Sequence, residues 1–345
     1  MKLQPVILAG GNGYRLWPLS QKSLPKQFIK QFGKLSTFQL TVLRNRYLGK
    51  PLILANINHK EIIAEQLLEI GETEGGAIVI FEPEAKNTAI CALVASYYSK
   101  KQGFDTVAIF PSDHNIEEQD EYVCSLSKAI EATTKYKFCT IGINPAYANS
   151  NFGYIKTDSR LSESLYMASK FTEKPSKELA KNFIKNPGYF WNSGIYIFDI
   201  NHVLGLSEKF IPEIQKLIKY MSDNLECSSL FTLDEEIYKK LPSISFDHAI
   251  SANLDEIPVI NASFKWQDLG NWEDIWNFDI KDENQNNIQG EVLLHKVNNS
   301  CIYSDAKTTV AIDLEDIIVI FKNGHLLVAN KNSTELIKQI VPKFV

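Results

Sequence analysis

The chain has 345 residues, 44% apolar and 22% charged, with a formal net charge of −5. That balance suits a globular protein of one large and one small domain, and the modest negative charge excludes a global field for nucleic acid or an anionic membrane surface. No apolar run approaches the ~18 residues of a membrane helix, and the start lacks a basic region followed by an apolar stretch, so neither a membrane span nor a leader is expected. Five scattered cysteines, none in Cys-x-x-Cys spacing, read as free thiols of a reducing cytoplasm, and six unclustered histidines give no zinc site.

Val6, Ile7, Leu8 and Ala9 form an apolar run that predicts a buried parallel strand. The run opens into Gly10-Gly11-Asn12-Gly13, then Tyr14-Arg15-Leu16-Trp17-Pro18-Leu19, and further on Pro25-Lys26-Gln27-Phe28. Glycines there let backbone N–H groups approach a ligand, and successive N–H groups attract anions. Arg15 and Lys26 add positive charge. The whole predicts a polyphosphate cradle from Leu8, Ala9, Gly10, Gly11, Asn12, Gly13, Arg15 and Lys26; an ordinary strand-to-helix turn is the plain alternative. The spacing fits neither the dinucleotide nor the P-loop fingerprint.

Apolar runs recur at 52–55, 77–81, 107–110, 138–143 and 194–198, alternating with amphipathic stretches. Between the first two strands lies a helix with Ser36 and Gln39 spaced as a capping box and Leu40, Leu43 and Tyr47 along one face. Strand and helix in repetition argue an α/β fold, a mainly parallel sheet with helices on both sides. Ligands in such sheets bind beyond the carboxyl ends of strands, where Gly10, Glu82 and Asp113 fall.

Several short motifs carry candidate chemistry. Glu82-Pro83 precedes Lys86-Asn87-Thr88-Ala89, where Asn87 is also a good cap for the apolar helix that follows. The strand at 107–110 ends in Pro111-Ser112-Asp113-His114, and its aspartate is either a metal ligand or a turn residue. Phe152-Gly153-Tyr154, Phe171-Thr172-Glu173-Lys174-Pro175 and Trp191-Asn192-Ser193-Gly194 offer a glycine, an acceptor with a cation, and an amide. A lone Glu-Lys pair is ordinarily a solvated surface pair. Asp268 lies in Trp266-Gln267-Asp268-Leu269-Gly270-Asn271-Trp272, whose tryptophans, like Trp276, also suit a core.

After Trp276 the composition changes. Residues 279–287 are polar and read as a linker, which divides the chain into domains at 1–278 and 288–345. Short β-like pieces follow at 291–296, 300–303, 309–312, 317–321 and 326–329, then a helix from about Ser333. Asn323-Gly324 is a type I′ hairpin signal.

In order and spacing these motifs resemble the signature of sugar-1-phosphate nucleotidyltransferases, most closely the bacterial mannose-1-phosphate guanylyltransferases. The resemblance covers nearly the whole chain. It implies a Rossmann-like mixed, mainly parallel sheet flanked by helices, and a cytoplasmic, Mg²⁺-dependent enzyme. The implied reaction joins GTP and α-D-mannose 1-phosphate into GDP-mannose and pyrophosphate. By the same match, Asp113 and Asp268 share the metal, Arg15 and Lys26 serve catalysis at the triphosphate, and Glu82, Asn87 and Ser112 contact the nucleotide. Gly153, Glu173, Lys174, Asn192 and Asp268 take the sugar phosphate. Lys86 stands where the family has arginine, which loses the bidentate fork. Asp247-His248-Ala249-Ile250 matches a further segment, but Ala252 replaces the acid usual near its end, so no catalytic role is assigned there.

The resemblance also implies coils of a short left-handed parallel β-helix at the C-terminus, pairing subunits as a homodimer; that conflicts locally with the hairpin signal. Two rival functions stay open: transfer to another sugar 1-phosphate, such as a heptose or glucose, and a non-catalytic nucleotide-sugar sensor or regulatory subunit.

Overall fold

The apolar run at 6–9 is the buried end of strand β1 (Leu3–Ala9) in a computed structural model of the chain. The structure describes all residues except 12–13, 31–32, 73–74, 225–229, 255, 269 and 345, and the side chains of Tyr14 and Phe278. Asn12 and Gly13 of the expected cradle, and Cys227, therefore lie outside the described residues.

In chain order the next strands are β2 (Leu52–Asn56), β3 (Ile78–Glu82), β4 (Thr106–Pro111), β5 (His114–Ile116), β6 (Phe138–Ile143), β7 (Tyr154–Arg160), β8 (Leu165–Thr172), β9 (Tyr189–Asp199), β10 (Leu230–Thr232), β11 (Ile257–Asn261) and β12 (Trp266–Asp268). Ten of them form one sheet in the order β10-β3-β2-β1-β4-β9-β6-β11-β8-β7, and β5 pairs separately with β12. The half from β10 to β4 is parallel throughout. Beyond β4 the expectation of a mainly parallel sheet fails. There β9 runs antiparallel to both β4 and β6, and β7, β8 and β11 add further antiparallel pairs.

Strand β4 shows why the sheet is covered on both faces. Val107 and Ile109 join one apolar core with the helix Thr88–Lys101, while Ala108 and Phe110 join another with the helix Gln119–Tyr136. Alternate side chains of a strand point to opposite faces, so a continuous apolar run needs two helical layers. No helix among the described residues is long and apolar enough to cross a membrane.

The C-terminal strands are β13 (Asn287–Gln289), β14 (Val292–Asn298), β15 (Cys301–Ser304), β16 (Thr309–Glu315), β17 (Ile317–Lys322) and β18 (His325–Asn330). β13, β15 and β17 pair in parallel, as do β14 and β16. β17 and β18 form an antiparallel hairpin whose turn residues Asn323 and Gly324 both have positive φ, as a type I′ turn requires. The hairpin signal at Asn323-Gly324 is thus expressed in the last two strands.

The expected boundary between 278 and 288 does not match the compact units. One unit is Met1–Gly10, Gln39–Ser112 and Ile116–Trp266; the other is Gly11–Phe38, Asp113–Asn115 and Gln267–Val345. The second unit has its own core, in which Leu16 packs with Trp272, Ile275, Cys301, Tyr303, Ile318 and Ile320. Trp272 also donates its indole N–H to the Trp17 carbonyl at 3.0 Å. Nor are residues 279–287 a loose linker. Asn286 and Asn287 are buried, and Asn286 donates to the Val297 carbonyl at 2.8 Å, so side-chain amides satisfy backbone that a bare loop would leave to water.

Candidate functional site

In the first unit the parallel register sets four strand ends level. Ala9 pairs with Ala55, Ala55 with Phe81, Asn56 with Glu82, and Leu8 with Pro111. Ser112 then donates its N–H to the Leu8 carbonyl at 3.1 Å. Leu8, Ala9, Gly10, Glu82 and Ser112 therefore share one rim. A Cβ on Gly10 would stand 2.8 Å from Glu82 Oε2, so this glycine makes room for a buried carboxyl rather than for a left-handed turn. Glu82 Oε1 accepts from Cys91 Sγ at 2.9 Å and from the Tyr238 hydroxyl. Burial pushes the Glu82 carboxyl above its ordinary range against the pull of those two donors. Asn87 caps the helix Thr88–Lys101, accepting from Thr88 N–H at 2.9 Å with its own φ positive. Lys86 spends its ammonium on Glu84 and the Lys239 carbonyl, both at 2.8 Å.

The second unit gathers three residues from three distant segments. Lys26, in a single 3₁₀ turn, places its ammonium 2.8 Å from Asp113 Oδ2 and 2.5 Å from Asp268 Oδ1. Asp113 immediately precedes β5 and Asp268 ends β12, and these strands pair. Burial alone would favour a neutral Lys26 amine; the two carboxylates outweigh it and raise the pKa above the usual lysine value. For Asp113 burial again opposes the charge, but Lys26 and His114 hold the carboxyl well below the usual range. Arg15 lies in the 3₁₀ turn Tyr14–Leu16 and takes no ion pair or hydrogen bond among the described residues. The Gly11 carbonyl accepts from Gln27 Nε2 at 3.1 Å.

Asp113 and Asp268 were the expected metal pair, and they do converge on one cation, the Lys26 ammonium. Hard carboxylate oxygens aimed at one point suit Mg²⁺, which commonly takes one or two carboxylates and completes its shell with phosphate oxygens and water. No group of three or more His, Cys, Asp or Glu is placed to hold a metal among the described residues. Two carboxylates alone would leave the rest of such an ion's shell to phosphate oxygens and water.

Four of the five expected sugar residues, Gly153, Glu173, Lys174 and Asn192, lie near one another in the first unit, while Asp268 belongs to the second. Tyr154 of β7 pairs with Thr172 of β8 and Trp191 of β9, which brings the neighbours Gly153, Glu173 and Asn192 together. Asn192 N–H donates to the Gly153 carbonyl at 2.8 Å. A Cβ on Gly153 would lie 2.8 Å from Glu173 Oε2 and 3.4 Å from the Asn192 side chain. Lys174, exposed, sits 2.7 Å from Glu173 Oε1. Two residues to which the motifs assigned no role, Tyr196 and Asp247, complete the cluster. The Tyr196 hydroxyl donates to Asp247 Oδ1, and Asn192 Nδ2 donates to both, at 2.6 and 3.0 Å. Tyr196 could have been found by its place on β9, four residues after Asn192; Asp247 could have been found as the one acid of its segment.

The tryptophans take the plain alternative. Trp266 packs edge-on to Phe152 with ring centres 5.4 Å apart, and Trp272 is fully buried against Tyr303. Cys91, Cys139 and Cys301 are buried free thiols, and Cys124 is exposed and free.

The chain belongs to the nucleotidyl transferase family, whose profile matches residues 4–285. Within it, the chain is 31% identical to mannose-1-phosphate guanylyltransferase RfbM of Salmonella typhimurium, over 99% of this chain and 72% of that protein. It is 32% identical to the alginate biosynthesis protein AlgA of Pseudomonas aeruginosa, over 98% of this chain and 71% of the relative. Its fold is similar to that of a mannose-1-phosphate geranyltransferase from Thermus thermophilus, with a TM-score of 0.86, 24% identity and 99% coverage of both chains.

Proposed function

We propose that this chain transfers the GMP group of GTP to α-D-mannose 1-phosphate, giving GDP-mannose and pyrophosphate. The observation that carries this reading is the Lys26 ammonium held between Asp113 and Asp268. Identity above 30% to guanylyltransferases of mannose 1-phosphate supports the choice of base and sugar.

A phosphate oxygen of the sugar 1-phosphate attacks the α-phosphorus of GTP, and the bond from that phosphorus to the bridging oxygen breaks, releasing pyrophosphate. No covalent protein nucleophile is needed; the chain aligns two anions and neutralises charge. Arg15 and Lys26 hold the triphosphate and the leaving pyrophosphate, with backbone of Leu8, Ala9 and 10–13. Glu82, Asn87 and Ser112 contact the nucleoside. Gly153, Glu173 and Lys174 receive the sugar phosphate, and Asn192 lies beside them. Asp113 and Asp268 would hold Mg²⁺. When bound, that ion supplies Lewis-acid polarisation of the phosphate oxygens and charge neutralisation.

At the C-terminus, the parallel pairing of β13, β15 and β17, and of β14 with β16, supports coils of a short left-handed β-helix. Exposed Leu293, Val310 and Ile312 on β14 and β16 support its use as the contact of a homodimer. Free cysteines support a reducing, cytoplasmic setting.

The test is a panel: purified protein, Mg²⁺, each nucleoside triphosphate against mannose, glucose and heptose 1-phosphates, with pyrophosphate release as readout. GTP with mannose 1-phosphate is expected to give the highest kcat/KM. A higher value for another sugar would move the substrate, and no release with any pair would support a non-catalytic sensor.

A further inference from the structure

Asn192 has no N–H left to offer a sugar. An amide carries two N–H donors, and Asn192 Nδ2 gives them to the Tyr196 hydroxyl and Asp247 Oδ1. Its carbonyl oxygen accepts from Gly194 N–H at 3.2 Å, where Gly194 takes a left-handed φ of 70°. The amide is thus committed inside the protein.

Those same bonds fix Asp247. Its Oδ1 receives two donors, the Asn192 amide and the Tyr196 hydroxyl, while Oδ2 takes no hydrogen bond from another described residue. Tyr196 is buried, so the grip on Oδ1 is shielded from water. Glu173 presents a second carboxylate close by: its Oε1 is on Lys174, and its Oε2 borders the space that the missing Cβ of Gly153 leaves open. Its charge is near enough to act on both Asp247 and Tyr196.

Two neighbouring carboxylates accept hydrogen bonds and, as carboxylates, donate none. A ligand matching them must present hydroxyl donors on neighbouring carbons, which is the chemistry of a vicinal diol on a sugar ring. We propose that Asp247, through its unengaged Oδ2, binds a sugar hydroxyl beside Glu173 and determines sugar specificity, and that Asn192 is a positioning residue that aims Asp247. This inference rests on the sugar-1-phosphate reading above.

The test compares wild type with Asp247→Asn, Tyr196→Phe and Glu173→Gln, using GTP with mannose 1-phosphate and its 2-deoxy, 3-deoxy and 4-deoxy analogues. Asp247→Asn should raise KM for mannose 1-phosphate about 10- to 100-fold, the scale of a hydrogen bond to a charged group, with KM for GTP unchanged within about twofold. One deoxy analogue should be discriminated against by wild type and no longer by Asp247→Asn. Tyr196→Phe keeps the carboxylate but frees it, and should raise the same KM by less, without altering GTP kinetics. If Asp247→Asn does not melt cooperatively, the Tyr196→Phe and Glu173→Gln profiles carry the test. Unchanged KM and unchanged analogue ranking in folded variants would overturn the proposal, as would equal rises for GTP and sugar. Failure of wild type on every sugar 1-phosphate would instead remove the reaction itself.

Discussion

The Lys26 ammonium and Asp268 Oδ1 meet at 2.5 Å from positions 242 residues apart, and Asp113 closes on the same ammonium. One cation thus neutralises two carboxylates that would otherwise repel. Lys26→Ala removes it and leaves like charges facing each other. GTP turnover should fall on the order of 100-fold or more, the scale of losing one preorganised charge. Urea melts should show a loss of about 1–3 kcal/mol, as when a buried polar partner is removed, and Mg²⁺ should restore part of it. Unchanged GTP kinetics would end the role given to Lys26.

Burial raises the Asp247 carboxyl from the ordinary 3.8 to about 6, and Glu173 adds to the rise, against hydrogen bonds from Tyr196 and Asn192. The charged and titratable groups around it are Glu173 with its partner Lys174, Tyr196, and His248 on its own short helix. A raised acid pKa means that the folded chain keeps this proton longer than the unfolded one. Its contribution to stability is therefore full below the ordinary value and is lost as pH rises through about 6. Sugar binding runs the other way, because acceptance needs the carboxylate. KM for mannose 1-phosphate should fall as pH rises through about 6. A phosphate monoester also ionises near about pH 6, so the difference between wild type and Asp247→Asn isolates the residue. Superimposable pH profiles for the two proteins would contradict the assignment.

Gly10 and Glu82 set a steric test. A methyl group at Gly10 meets Glu82 Oε2 at 2.8 Å, and Glu82 cannot swing away while Cys91 and Tyr238 hold its other oxygen. Gly10→Ala should cost about 1–3 kcal/mol, as overpacking does, and should raise KM for GTP. Gly11→Ala meets nothing within 4 Å and should leave the melting temperature unchanged. Equal melting temperatures for both variants would show that the Gly10 contact is not tight.

How much was legible in the sequence follows from where each signal is stored. Strands β1 to β4 and β6 are continuous apolar runs, because both faces of each are buried, and such runs are readable locally. β7 and β8 were missed because Lys156, Ser159, Arg160 and Lys170 interrupt any apolar run on partly exposed strands. Edge strand β10 has three residues, too few for a period. The second unit was invisible as a unit, since Leu16 reaches Trp272 only through packing, and the polar stretch at 279–287 hid an amide network behind a linker's composition. The motifs marked Lys26, Asp113, Asp268, Glu173 and Asn192. The segment at 247–250 was matched without a role, because what Asp247 does there depends on Asn192 and Tyr196, 55 and 51 positions away.

The most direct measurement is pyrophosphate release from GTP and mannose 1-phosphate by wild type, Asp113→Asn and Asp268→Asn across a Mg²⁺ titration, with circular dichroism to verify folding. Wild type should be Mg²⁺-dependent, and each folded variant should lose on the order of 100- to 1,000-fold in kcat, as expected when charge stabilisation at the transferring phosphoryl group is removed. Near-wild-type turnover by either folded variant, or release that ignores Mg²⁺, would contradict a shared cation between these two acids.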